Sequence, residues 1–159
     1  MSLLQTNYAK GIYPMPTADD SDVIAVRMEY SLAAALALND VIEMGPLPAD
    51  HVPVDCVLDA DDLDTNGAPT ITLSVGILNA GKTAISTAAA DGGAAWIAAS
   101  TVAQAGGLVR PTVSAITRVA PDAANDRPMG VLVAAGPATG AATGKVGLTV
   151  MYRASSYGA

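Results

Sequence analysis

Between Val23 and Leu32 polar and apolar residues alternate: Val26, Met28, Tyr30 and Leu32 share one parity, Arg27, Glu29 and Ser31 the other. A period of two predicts a strand with one face on a core. The same alternation runs through Val52, Val54, Cys56 and Leu58, and through Val146, Leu148, Val150 and Tyr152 in the segment Lys145 to Arg153. It is cleanest from Thr70 to Leu78, where Ile71, Leu73, Val75 and Ile77 oppose Thr70, Thr72, Ser74 and Gly76, so that this strand reads as half-exposed. Shorter strands are predicted at Val41 to Met44, ended by Gly45-Pro46, and at Gly130 to Ala135. A further strand from Val109 to Val119 is split by Pro111, which places it at a sheet edge. One short helix is predicted from Asp91 to Ala105: Asp91 caps it, Gly106-Gly107 stops it, and Trp96, Ile97 and Val102 form a partial stripe. A second helical stretch, Ala33 to Leu38, is cut short by Asn39-Asp40. About seven strands separated by turn signals argue for a mainly β fold, a sandwich or barrel.

Residues 1–22 follow neither period. With Pro14, Pro16 and an acidic end at 19–22, they read as an extended N-terminal arm before a single β domain at 23–159. Leu3, Leu4, Tyr8, Ile12 and Tyr13 make the arm too apolar for a solvated tail, so they are the candidate partner-binding residues.

Composition sharpens this picture. Hydrophobic residues make up 51%, but much of that is Ala; Phe is absent and Trp occurs once. The core must be built from Val, Ile, Leu, Met and Ala, each burying less area than an aromatic ring. Trp96 is the one large filler and reads as a core anchor. Eight basic against 15 acidic residues leave a net charge of −7, without the basic footprint of a nucleic-acid binder. All but two of the acids are Asp, which favours turns over helix interiors. One cysteine excludes a disulfide within the chain, and Cys56 reads as a small core side chain. The start lacks a signal-peptide pattern, and the longest apolar run, Leu32 to Leu38, is too short to span a bilayer. The expectation is a chain made in a cytoplasm, with no membrane partner.

Three motifs carry candidate chemistry. Gly76 to Thr83 (GILNAGKT) matches the phosphate-cradling loop G-x-x-x-x-G-K-[ST]. Such a loop needs a parallel strand buried on both faces before it, a helix straight after it, and an acid downstream to hold magnesium. The Ala- and Thr-rich segment after Lys82 offers no such helix, and none of Asp91, Asp122 and Asp126 ends an apolar run. Asp62-Leu-Asp-Thr-Asn-Gly67 matches the first half of a calcium loop, but Leu73 stands where the bidentate Glu belongs. A looser cation site could draw on Asp59, Asp61, Asp62 and Asp64; the alternative is a solvated Asn-Gly turn. His51 has no His or Cys at metal spacing and reads as a surface or capping residue. No catalytic residue and no cofactor is expected.

The block NDVIEMGPLPADHVPVDCVLDADDLDTNGAPTITLSVGILN, Asn39 to Asn79, together with the closing GKVGLTVMYR, Gly144 to Arg153, resembles small virion structural proteins of tailed bacteriophages, some of them head decoration or cement proteins. The resemblance covers the middle third and the final strand. It implies a β-sandwich or jelly-roll-like domain in many copies on the outside of a capsid. There it would bridge neighbouring major capsid proteins and associate with itself as a dimer or trimer. A tail or head–tail joining protein is the alternative from the same class. A P-loop nucleotide-binding protein and a calcium-binding module are the alternatives from others.

Overall fold

Nine strands and two single 3₁₀ turns make up the fold in a computed structural model, which describes residues 1–19 and 22–155. The strands are β1 (Leu3–Gln5), β2 (Val23–Ser31), β3 (Val41–Leu47), β4 (His51–Ala60), β5 (Thr72–Ile77), β6 (Ile97–Ser100), β7 (Gly107–Val109), β8 (Arg127–Ala135) and β9 (Lys145–Ala154). They form a five-stranded sheet in the order β1-β3-β8-β5-β6 and a four-stranded sheet in the order β2-β9-β4-β7. Among the described residues the β1–β3 pair alone is parallel. The core lies between the sheets. Met28, Cys56, Leu58, Leu148 and Val150 come from one side and Ile42, Met44, Leu73, Val75, Val131 and Val133 from the other. The expected mainly β sandwich is therefore what the sequence forms.

Several local expectations are corrected. Asp91 to Ala105 is not a helix, and no α-helix occurs among the described residues. Gly92 (φ 97°), Gly93 (φ 78°) and Ala99 (φ 47°) interrupt any helical run there. An Ala-rich stripe buries too little to hold a surface helix. Instead Trp96 N–H donates to the Val75 carbonyl (2.7 Å), and β6 pairs with β5. Ala33 to Leu38 is likewise irregular. Strand β3 runs on through Gly45-Pro46 to Leu47, bulged between Glu43 and Gly45. Val109 to Val119 splits into the edge strand β7 and the 3₁₀ turn Ile116–Arg118, so Pro111 marks an edge but no strand follows it. In β4 a bulge between Pro53 and Asp55 reverses the face on which side chains project. His51 and Pro53 are buried before it and Cys56 and Leu58 after it, while Val54 turns outward, against the single apolar face the alternation predicts.

Strand β5 is buried on both faces, not half-exposed as its alternation suggests. Its outer face carries Gly76, beside Gly130 of β8 and then Glu43 of β3. A Cβ on Gly76 would stand 2.8 Å from Ile85, and one on Gly130 would stand 2.7 Å from Leu78. The two glycines open a channel across the sheet, and residues 78–86 fold back into it.

Candidate interaction surface

The arm is strapped along its own domain. Strand β1 adds to β3 in the register Leu3↔Val41, Leu4↔Ile42, Gln5↔Glu43. Alternation then turns Leu4 toward the core, which it packs against half-buried, and Leu3 and Gln5 outward. Gln5 Nε2 donates to Glu43 Oε2 (2.8 Å) and the Thr6 hydroxyl donates to the Met44 carbonyl. The chain then closes a compact turn. Lys10 N–H donates to the Thr6 carbonyl (3.1 Å) and Ile12 N–H to that of Asn7 (2.9 Å), and Gly11 sits at φ 70°. Tyr8 packs on the core at Gly45, where an added Cβ would stand 3.0 Å from the Tyr8 Cβ and 2.8 Å from the Met28 sulfur. Its ring meets Tyr13 edge-on, 5.5 Å between centroids at 69°.

The five candidate arm residues thus divide. Leu4 and Tyr8 face their own core, while Leu3, Ile12 and Tyr13 remain 47%, 60% and 51% exposed. Asp20 and Ser21, at the arm's acidic end, lie outside the described residues.

The arm's far end is held by two aromatic side chains. The Tyr152 hydroxyl donates to the Pro16 carbonyl (2.6 Å), and His51 Nε2 accepts the Ala18 N–H (2.9 Å). Burial, with the Tyr8 phenol nearby, pushes Tyr152 up to about 12. His51 is 5% exposed, not the surface residue that its isolation in the sequence suggests. Its role shows only in three dimensions, because Ala18 precedes it by 33 residues.

The phosphate-loop candidate is a packing device. Strand β5 is antiparallel to both neighbours. After it the chain turns back, with Asn79 N–H donating to the Ala84 carbonyl (2.9 Å) and Ser86 N–H to that of Ile77 (2.7 Å), so no helix starts at Lys82. Thr83 N–H donates to the Asn79 side chain (2.9 Å), and Lys82 Nζ reaches Glu43 Oε1 (2.7 Å). The groups that would hold phosphate and magnesium are spent on the turn and on the sheet's outer face.

The four candidate cation ligands are also engaged separately. Asp59 Oδ2 takes Arg27 Nη2 (2.6 Å), Asp61 Oδ2 accepts the Lys145 N–H (2.8 Å), and Asp62 Oδ1 accepts the Asp64 N–H (3.1 Å). Asp64 is buried and accepts four backbone amides: Thr70 (2.7 Å), Ile71 (3.2 Å), Ala138 (2.9 Å) and Thr139 (2.8 Å). Burial alone would raise its pKa, but the four amides outweigh it and hold the carboxyl well below the usual range. Asp64 thereby clasps the segment before β5 to the loop that carries the chain from β8 in one sheet to β9 in the other. No group of three or more His, Cys, Asp or Glu placed to hold a metal occurs among the described residues. Cys56 and Trp96 are core side chains, each fully buried. Among the described residues no helix is long and apolar enough to cross a membrane.

No protein-family model matches the chain, and no curated protein does. Two solved structures do. A chain in the capsid of Ralstonia phage GP4 is 44% identical with a TM-score of 0.81, the match covering 96% of this chain and 97% of that one. A chain in the capsid asymmetric unit of cyanophage Pam1 is 26% identical with a TM-score of 0.63, covering 89% of this chain and 94% of that one. The likeness runs from arm to final strand, beyond the middle third from which the sequence resemblance started. Identity of this level over nearly all of both chains carries family as well as fold, and the chain belongs to a family of bacteriophage capsid structural proteins.

Proposed function

We propose that the chain is a capsid decoration, or cement, subunit. It binds the outside of the assembled shell and stabilises it by bridging neighbouring major capsid proteins. The observation that carries this reading is the two-sided arm. Its inner side chains tie it to the domain, so it is held in place before any partner arrives, and Leu3, Ile12 and Tyr13 face outward along it. Pre-ordering reduces the entropy lost on binding, so three exposed apolar side chains yield more affinity than they would on a loose tail. The carboxylates and the GKT segment are committed to internal bonds, which suits a purely structural part. Self-association as a dimer or trimer would present two or three arms and add avidity without new contacts.

Replacing Leu3, Ile12 and Tyr13 together by Ser tests the arm. All three are exposed and only the Tyr8–Tyr13 ring contact is given up among the contacts described above, so the variant should still fold, which its melting profile checks. The proposal expects its occupancy on shells lacking the native subunit to fall at least about tenfold, as for a loss of a few exposed apolar contacts. Full occupancy by the variant would remove the arm from the interface. Binding of the parent at a tail or at the head–tail junction, with shells left bare, would favour the joining-protein reading.

A further inference from the structure

We infer that His51 is a proton-controlled latch that holds the arm at Ala18 against the domain at neutral pH and releases it there on acidification. The geometry assigns the ring's tautomer. The group facing Nε2 is the Ala18 amide, which can only donate, so Nε2 must carry the lone pair (2.9 Å). The group facing Nδ1 is the Ala49 carbonyl, which can only accept, so Nδ1 carries the hydrogen (2.8 Å). Both nitrogens are therefore satisfied in the neutral ring alone. A proton added at Nε2 converts the acceptor into a second donor pointed at the Ala18 N–H, inside a site where the residue is 5% exposed.

Among the described residues no group is placed to accept a proton carried on Nε2. From β9 the Tyr152 ring meets the imidazole edge-on, 5.6 Å between centroids at 79°, and its hydroxyl is given to Pro16. From β8 Arg127 brings a like charge, its Nη2 lying 3.5 Å from the His51 carbonyl and its Nη1 3.3 Å from Asp91. The nearby carboxylates serve other groups: Asp50 accepts the Ser155 hydroxyl (2.8 Å) and Asp126 accepts the Ala49 N–H (2.7 Å). Among the described residues no carboxylate is bonded to the ring. The closed latch thus fits only the neutral imidazole, because a proton on Nε2 removes the acceptor that holds the Ala18 N–H. Tyr152 Oη keeps its bond to Pro16 throughout, so release begins at Ala18. The inference concerns the free chain and stands whether or not the decoration reading holds.

His51 is the one histidine, so its ring resonances are unambiguous in a nitrogen-15 correlation spectrum of the full-length protein. The expected result is the Nδ1–H tautomer near neutrality. As the ring protonates, the Ala18 amide should lose about tenfold in exchange protection after correction for intrinsic rates, the size of one lost buried hydrogen bond. His51→Phe keeps the ring contact with Tyr152 but offers no acceptor, so it should leave Ala18 unprotected at every pH, while Tyr152→Phe should retain the pH response. An Nε2–H tautomer at neutral pH, or protection at Ala18 that does not follow the ring's titration, would overturn the inference without recourse to the variants.

Discussion

Lys82 and Glu43 meet across the outer face of the five-stranded sheet, Nζ to Oε1 at 2.7 Å, with Glu43 buried and also bound by Gln5. The bond joins the turn after β5 to the arm-bearing strand β3. It gives the lysine of the GKT segment a structural task. Lys82→Ala would leave Glu43 a buried carboxylate with only Gln5 as a partner, a loss of roughly 1–3 kcal/mol. Adding Glu43→Gln should recover part of it, because the uncompensated charge is then gone. Chemical unfolding of the two single variants and the double variant checks this. Calorimetry with ATP and GTP should show no binding to the parent; micromolar affinity abolished by Lys82→Ala would reverse the assignment.

Asp64 gives a pH signature. Its carboxyl is held below the ordinary aspartate range in the folded chain, so its contribution is fully present above the unfolded value of about 4 and is lost as pH falls toward the folded one. Asp64→Asn keeps one acceptor oxygen but replaces the other with an amide facing backbone donors. The variant should melt several degrees lower than the parent near neutrality, and the gap should narrow steadily below about pH 4. A gap independent of pH would mean that the carboxylate's charge is immaterial to the clasp.

Cys56 is buried between the sheets, and desolvation first, with Asp55 second, pushes its thiol up to about 12. A thiol reagent at neutral pH should leave the folded protein unmodified and titrate one sulfhydryl on denaturation. Prompt reaction of the native protein would show that the sheets part at Cys56.

How much of this was legible in the sequence depended on how local each signal was. Strands β2 and β9 declared themselves by alternation because each shows one face to the core and one to solvent, and they pair over nine consecutive positions without a bulge. The bulge in β4 was invisible because Val52, Val54, Cys56 and Leu58 are apolar on both sides of the phase change. The second burial of β5 was hidden because small residues on its outer face look the same whether solvent or Ile85 lies above them. The false helix at 91–105 followed from reading Asp91 and Gly106-Gly107 as caps, when the nearby glycines serve a turn pressed against the 3₁₀ segment. A Cβ on Gly92 would lie 2.3 Å from the Ala115 carbonyl oxygen. For the candidate surface, the sequence identified the arm's apolar residues but not which of them face outward. That division rests on the register of β1 against β3 and on the seat for Tyr8 at Gly45.

A decoration subunit sits on the outside of a capsid and joins its subunits. A cryo-electron reconstruction of the intact virion, sharp enough to trace a chain, tests this most directly. This sandwich should appear as repeated density on the outer shell surface, with Leu3, Ile12 and Tyr13 buried against a major capsid protein and each copy touching two neighbouring capsid subunits. Density for the chain confined to the tail or the head–tail junction, or within the continuous shell wall itself, would contradict it.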